Sequence, residues 1–280
     1  MMKYIVNADD LGRNSSVNAA ISQAFDKGVI SSSTIMANTT TWEEVSQVVG
    51  NNPQASFGVH LNLTEGKPIT DSEVLRKYKL VDENNRFLLD NIKLKNEQCL
   101  PEDLLEAIKK EWDAQINLVI NIHKIPVTHF DGHHHIHSTF GLRRILLDLT
   151  RKYEIGIVRN MYCLPNIKHT LRDYLYDIFN MSYRLTGFPI SRKSVVDKRV
   201  MSKIWHKEIS ANVLLTPYFS AYETACDFLK GGNKIADTIE LMCHPGNPLF
   251  IKEMEFVNRF LFKELQNDAE MVNYKEIYKQ

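Results

Sequence analysis

Short apolar runs recur along the chain, each followed by a polar loop and then by a segment whose apolar residues fall at helical spacing. Residues 4–6 open the series as a buried strand. Val17, Ala20, Ile21, Ala24 and Phe25 come next, three or four apart, and so share one helix face; Ser15 or Ser16 would be the N-cap and Gly28 the stop. Residues 34–37 and 57–63 are the following strands, rich in β-branched or aromatic side chains. The clearest helix starts after Pro101. Glu102 and Asp103 suit the positive end of its dipole, and Leu105, Ile108, Trp112, Ile116 and Val119 line one side. A strand at 127–130, a helix at 142–149 and a strand at 155–158 continue the alternation. Residues 238–242 are expected as the last strand, and Met254, Val257, Leu261 and Leu265 mark a closing helix.

Strands alternating with helices predict an α/β fold with a parallel sheet under helical cover, open or closed into a barrel. No repeat, low-complexity run or Pro/Gly-rich linker divides the 280 residues, so one domain over 1–280 is expected. Two stretches break the rhythm. Residues 64–100 are long and polar, with a small hairpin expected around Asn84-Asn85. Residues 160–210 hold a helical pattern (Leu171, Leu175, Ile178, Phe179) and a basic run from Arg192 to Arg199. Insertions of that length are usually walls or lids over a site.

Composition narrows the function classes. Lys and Arg number 34 and Asp and Glu 34, a formal net charge of zero, which lacks the footprint of a nucleic-acid or anionic-membrane binder. The apolar run in MMKYIVNADD is too short for a signal peptide or a membrane span. Cys99, Cys163, Cys226 and Cys243 show no CxxC spacing and are expected as buried or free thiols, with the cytoplasm as compartment.

The candidate chemistry sits just beyond strand ends, where parallel α/β folds place their sites. Asn7-Ala8-Asp9-Asp10 follows the first strand. His60 and Asn62 alternate within GVHLNL and face one side of an otherwise apolar strand. His129, Asp131, His133, His134, His135 and His137 crowd into THFDGHHHIH, and His244 ends the strand in MCHPG. Taken singly, an aspartate after a strand is as often a helix cap, a strand histidine more often a hydrogen-bonded core residue, and His244 equally a turn cap. The density of the central cluster has no such structural use. Imidazoles and carboxylates without cysteine suit a divalent cation that activates water and polarises a carbonyl, and one of two adjacent carboxylates could bind it while its neighbour takes a proton. The residues alone therefore indicate metal-assisted hydrolysis.

Five motifs together resemble the YdjC-like carbohydrate (chitooligosaccharide) deacetylases: IVNADDLG (5–12), GVISSSTIMAN (28–38), GVHLNLTEGKP (58–68), THFDGHHHIH (128–137) and MCHPG (242–246). The resemblance implies a TIM-barrel-like (β/α) barrel, distorted or incomplete, and removal of N-acetyl groups from amino sugars or chitooligosaccharides. By position it implies Asp10, His60 and His133 as metal ligands and Asp9 as general base. Arg159 would orient that base and His244 would be the acid, while an HxxxH spacing makes His137 an alternative ligand to His133. It implies magnesium, although two imidazoles physically favour zinc, cobalt or manganese, and homodimers are frequent in the family. Other readings of the same residues are a phosphoesterase or sugar isomerase on a similar barrel, or a non-catalytic metal-binding protein.

Overall fold

The computed structural model describes residues 2–96, 99–160, 214–219, 238–257 and 269–277. In chain order these form β1 (Met2–Leu11), α1 (Ser15–Asp26), β2 (Ser32–Ile35), α2 (Trp42–Asn51), β3 (Ser56–Leu61), α3 (Glu73–Lys77), α4 (Glu102–Asn117) and β4 (Val127–Gly132). Then come α5 (Arg143–Lys152), β5 (Ile157–Asn160), β6 (Leu214–Phe219), β7 (Thr238–Cys243), α6 (Ile251–Phe256), β8 (Ala269–Met271) and α7 (Tyr274–Ile277). Between named strands every pairing is parallel, in the order β2-β3-β4-β5-β6-β7-β1-β8, and β1 also pairs with β2. That extra pairing closes β1 to β7 into a ring, the distorted (β/α) barrel expected.

The distortion is local. β7 occupies one edge of β1 along Lys3–Ala8, so β8, which pairs with Met2–Tyr4, lies on the opposite edge, below the β2 contact at Asn7–Leu11. A regular barrel would seat its eighth strand between β7 and β1. The strand expected to be last is therefore followed by another, three residues long and too short to leave a pattern. β6 also escaped the pattern, interrupted as it is by Pro217.

Strand pleating sends alternate residues to opposite faces. Tyr4, Val6, Ala8, Val59, Leu61, Phe130, Val158, Ile239, Leu241 and Cys243 face outward into one apolar core shared with the helices. Ile5 and Ile157 instead form a separate cluster with Val272 and Tyr274. β1 and β5 are not neighbours in the ring, so only its interior can bring Ile5 and Ile157 together. These residues make an apolar floor, and Tyr274 seals it by stacking on His129 at 3.8 Å between centroids. Gly58 is required there, because a Cβ would lie 2.6 Å from the His129 ring.

Several expected details shift. The N-cap of α1 is Asn14, whose side chain accepts from the Val17 N–H at 3.0 Å, and not Ser15 or Ser16. β3 ends at Leu61, so Asn62 lies in the turn beyond it. The hairpin around Asn84-Asn85 is present as a Val81–Phe87 bridge. Its stretch is no free flap: Leu75, Leu80, Val81 and Phe87 are buried in the main core, and buried Glu111 of α4 accepts from the Ile69 and Thr70 N–H groups. The helix expected from Leu171 to Phe179, the run Arg192 to Arg199, and Leu261 and Leu265 lie outside the described residues.

Candidate active site

Consecutive residues of a regular strand point to opposite faces, yet Asp9 and Asp10 both reach inward. β1 achieves this with an irregularity against β2 between Ala8 and Leu11, and with a left-handed backbone at Asp10 (φ 73°). That conformation costs about 1–2 kcal/mol in an L residue, a local strain that aims two carboxylates at one place.

Asp10 Oδ1 lies 2.8 Å from His133 Nδ1 and 3.3 Å from His60 Nε2. One ligand atom from each of Asp10, His60 and His133 falls within 4.8 Å of the others, and all three residues are buried. His60 is oriented from behind: its Nδ1 donates to Asp131 Oδ1 at 2.7 Å, and Thr34 Oγ1 donates to Asp131 Oδ2 at 3.0 Å. With Nδ1 fixed by Asp131, Nε2 is the ring nitrogen turned to Asp10, the way metal-binding histidines are commonly held. His133 Nε2 donates to Glu65 Oε2 at 3.1 Å, and Glu65 is held by Arg13 at 2.8 Å. Left-handed residues at His134 and His135 coil the chain tightly after β4. His137 goes elsewhere, donating from Nε2 to the Arg159 carbonyl at 3.1 Å, and joins neither convergent group.

The residues fit a divalent cation. Burial alone would lower the His60 pKa, but the charges of Asp131 and Asp9 and hydrogen bonds to Asp10 and Asp131 push it up to about 10. His133 is likewise raised, against burial, by Asp10 and Glu65. Burial raises and the two histidines lower Asp10, which ends well below the usual carboxylate range. Such shifts mark a strongly negative field that a bound cation would neutralise.

A second group, Asp9, His60 and Asp131, also converges. Here a protein cation does the neutralising. The Arg159 guanidinium, fully buried, donates from Nη1 to Asp9 Oδ2 at 2.8 Å and from Nη2 to Asp9 Oδ1 at 2.6 Å. Nη2 also lies 2.7 Å from Asp131 and 2.6 Å from Glu240. Asn7 adds a further donor to Asp9 Oδ1 at 2.8 Å. Burial and the nearby carboxylates Asp131 and Asp9 hold Glu240 above its ordinary pKa, against the pull of Arg159.

His244 stands on the other side of Asp9, with Nε2 3.9 Å from Asp9 Oδ2. Its Nδ1 and backbone N–H both meet Glu253 Oε2, at 3.0 and 2.9 Å, and its ring stacks on Phe250. Burial lowers its pKa, but the Glu253 hydrogen bond and the charge of Asp9 leave it raised. An open depression of about 390 Å³ adjoins it, lined by His244, Asn247, Phe250, Ile251 and Met254 among others.

Asp9, Asp10, His60, His133, Arg159 and His244, the residues to which the resemblance gives roles, thus lie together. Asn62 does not: it holds the loop by accepting from the Thr64 and Glu65 N–H groups. Glu65, Glu240 and Glu253 were not anticipated. Glu240 had a signal, a lone carboxylate on the inward face of the apolar strand TIELMC; Glu65 and Glu253 had none.

A family model described as YdjC-like protein matches residues 3–271. The chain belongs to the YdjC-like family. Among YdjC-like relatives, a carbohydrate deacetylase of Clostridium beijerinckii is 24% identical over 294 residues, covering 99% of this chain and 100% of the relative. A carbohydrate deacetylase of Halalkalibacterium halodurans is 34% identical over 168 residues, covering 59% of this chain and 67% of the relative. In fold, this YdjC-like chain is similar to an Enterococcus faecalis protein provisionally described as a cellobiose-phosphate cleavage protein. The TM-score is 0.70 at 22% identity, over 99% of this chain and 98% of that one.

Proposed function

We propose that this YdjC-like protein is a metal-dependent carbohydrate deacetylase that hydrolyses N-acetyl groups of amino sugars, chitooligosaccharides among them. The observation that carries the reading is the convergence of Asp10, His60 and His133 within 4.8 Å, beside an Asp9 carboxylate gripped through both oxygens by Arg159. The relatives named carbohydrate deacetylase support it. Asp10, His60 and His133 would hold the cation, which supplies positive charge to acidify water and polarise the acetyl carbonyl. Magnesium is the metal the family resemblance implies; the two imidazoles suit zinc, manganese or cobalt.

The protein's own groups handle the protons. Asp9 takes a proton from the attacking water as the new C–O bond forms at the carbonyl carbon. Arg159 and Asn7 fix the carboxylate plane through that step. When the C–N bond breaks, the amine nitrogen takes a proton from His244 Nε2, since an amine anion is too poor a leaving group to depart unprotonated. Glu253 holds the other ring nitrogen and keeps Nε2 turned to Asp9. Acetate and the free amine leave, and the proton on Asp9 returns to His244 through solvent.

The test is acetate release from N-acetylated and O-acetylated sugars by chelator-treated and metal-reloaded protein. Chelation should abolish release and reloading restore it, while His133→Ala should lose both metal and turnover. No acetate from any acetylated sugar would sink the reading. For the acid, His244→Gln should cut N-deacetylation far more than hydrolysis of an activated acetyl ester. Equal losses would make His244 a residue that positions substrate and move the search for the acid to His134, His135 and His137.

A further inference from the structure

Arg159 is gripped along two edges. One edge, Nη1 and Nη2, meets Asp9; the other, Nε and Nη2, meets Glu240, with Nε 3.0 Å from Oε1 and 3.1 Å from Oε2 and Nη2 2.6 Å from Oε1. A guanidinium is a rigid planar fork, so fixing one edge fixes the direction of the other. Glu240 projects inward from β7 at the level of Ile5, its register partner on β1, whereas Asp9 stands four residues further along β1. Arg159 therefore spans from the barrel floor to the rim, anchored below by Glu240 and offered above to Asp9. The floor itself is closed. Tyr274, fully buried, lies against Glu240 and is stacked on His129, which leaves the carboxylate little room to move. Without the lower anchor, Asp131, 2.7 Å from Nη2, competes with Asp9 for the same guanidinium.

We propose that Glu240 is a positioning residue: from the barrel floor it holds Arg159 so that the guanidinium presents the Asp9 carboxylate to the water it must deprotonate. The proposal rests on the reading of Asp9 as the base. Glu240 accepts from Arg159 through both carboxylate oxygens, and the guanidinium carries its hold on to Asp9.

Two variants test it in the metal-loaded, full-length protein. Glu240→Gln keeps the shape and removes the charge; Glu240→Asp keeps the charge and shortens the reach. Metal affinity by titration calorimetry should stay within about threefold in both, because Asp10, His60 and His133 are untouched. In ¹⁵N NMR the Arg159 Nε–H should be protected from solvent exchange in the wild type and less protected in Glu240→Gln. Acetate release should show kcat lowered by about 10- to 100-fold with KM changed less than about threefold, the signature of an interaction realised in the transition state. Glu240→Asp should recover part of the lost kcat. A protected Nε–H in Glu240→Gln, wild-type kcat in that variant, or higher activity for Gln than for Asp would overturn the proposal, the last by showing that Glu240 only fills space. If the wild type releases no acetate, the deacetylase reading fails, while the NMR measurement still decides whether Glu240 holds Arg159.

Discussion

The two faces of the same barrel strands are built from different chemistry. On β1 the outward residues Tyr4, Val6 and Ala8 pack into the apolar layer under the helices, while the inward Asn7 and Asp9 belong to a network of charges. β7 repeats this, with Ile239, Leu241 and Cys243 outward and Glu240 inward. The outer layer is held by burial of area, which is nondirectional and tolerant of similar shapes. The inner layer is held by paired charges taken out of water, where losing one partner leaves another uncompensated. Apolar packing and charge pairing are thus separated by the pleat of a strand, about one residue apart in sequence.

Removing the buried arginine should break the inner layer most severely. Arg159→Met leaves Asp9, Asp131 and Glu240 facing one another, a loss of about 3–5 kcal/mol by analogy with broken buried pairs, read by chemical denaturation, together with loss of turnover. An equally stable Arg159→Met variant would show that the inner network does not hold the barrel. On the outer face, Leu241→Ala should cost about 2–5 kcal/mol through a cavity, yet leave kcat of the surviving folded enzyme near wild type at low temperature. A selective fall in kcat would mean that the layers are coupled.

Within the inner layer the paired carboxylates should separate. Asp9→Asn should keep the metal and lose about two to four orders of magnitude in turnover, whereas Asp10→Asn should weaken the metal itself. The reverse order in a metal titration would exchange their roles. A gentler effect is expected at His244. Its folded pKa is raised, so its protonation stabilises the fold fully below the ordinary value of about 6.5 and that contribution fades as pH rises through the raised value. Glu253→Gln removes the negative charge that helps raise it, and the alkaline limb of the kcat–pH profile should move to lower pH. An unmoved limb would assign that limb to another group. The smallest change is expected on the surface, where Lys152→Ala deletes an exposed pair with Asp113. It should cost no more than about 1 kcal/mol, and less at high salt, with activity unchanged.

Much of the site is legible in the sequence. The density of THFDGHHHIH pointed to the place, although His129 and His137 serve there as packing and hydrogen-bonding residues, and Asp9-Asp10, His60 and His244 each stand at or just beyond a strand end. The regular part of the barrel was legible for a similar reason, since residues 2–160 carry long periodic segments. What failed were short or irregular pieces. β8 has three residues and α3 five, too few for a period to declare itself. Residues 64–100 read as an insert because the stretch is long and polar, yet Leu75, Leu80, Val81 and Phe87 join the main core. Which of three neighbouring polar residues caps α1 depended on where β1 releases the chain, and Asn14 is the one placed to accept from Val17.

By itself the sequence determined the alternation of strands and helices, the strand ends where chemistry collects, and the residue types able to bind a cation and move protons. These are local properties, set by side-chain chemistry and by the periods of helix and strand. The tertiary structure alone decided the rest. It chose His133 over His137 for the group with Asp10 and His60, because the left-handed turn at His134 and His135 sends His137 to the Arg159 carbonyl. It supplied Glu65, Glu240 and Glu253 as the partners of His133, Arg159 and His244. Those pairings join residues up to 81 positions apart, and no local pattern encodes them; closing the ring of strands brings their charges within a few ångströms, and where the pair is fully buried, as for Arg159 and Glu240, each charge must find its opposite.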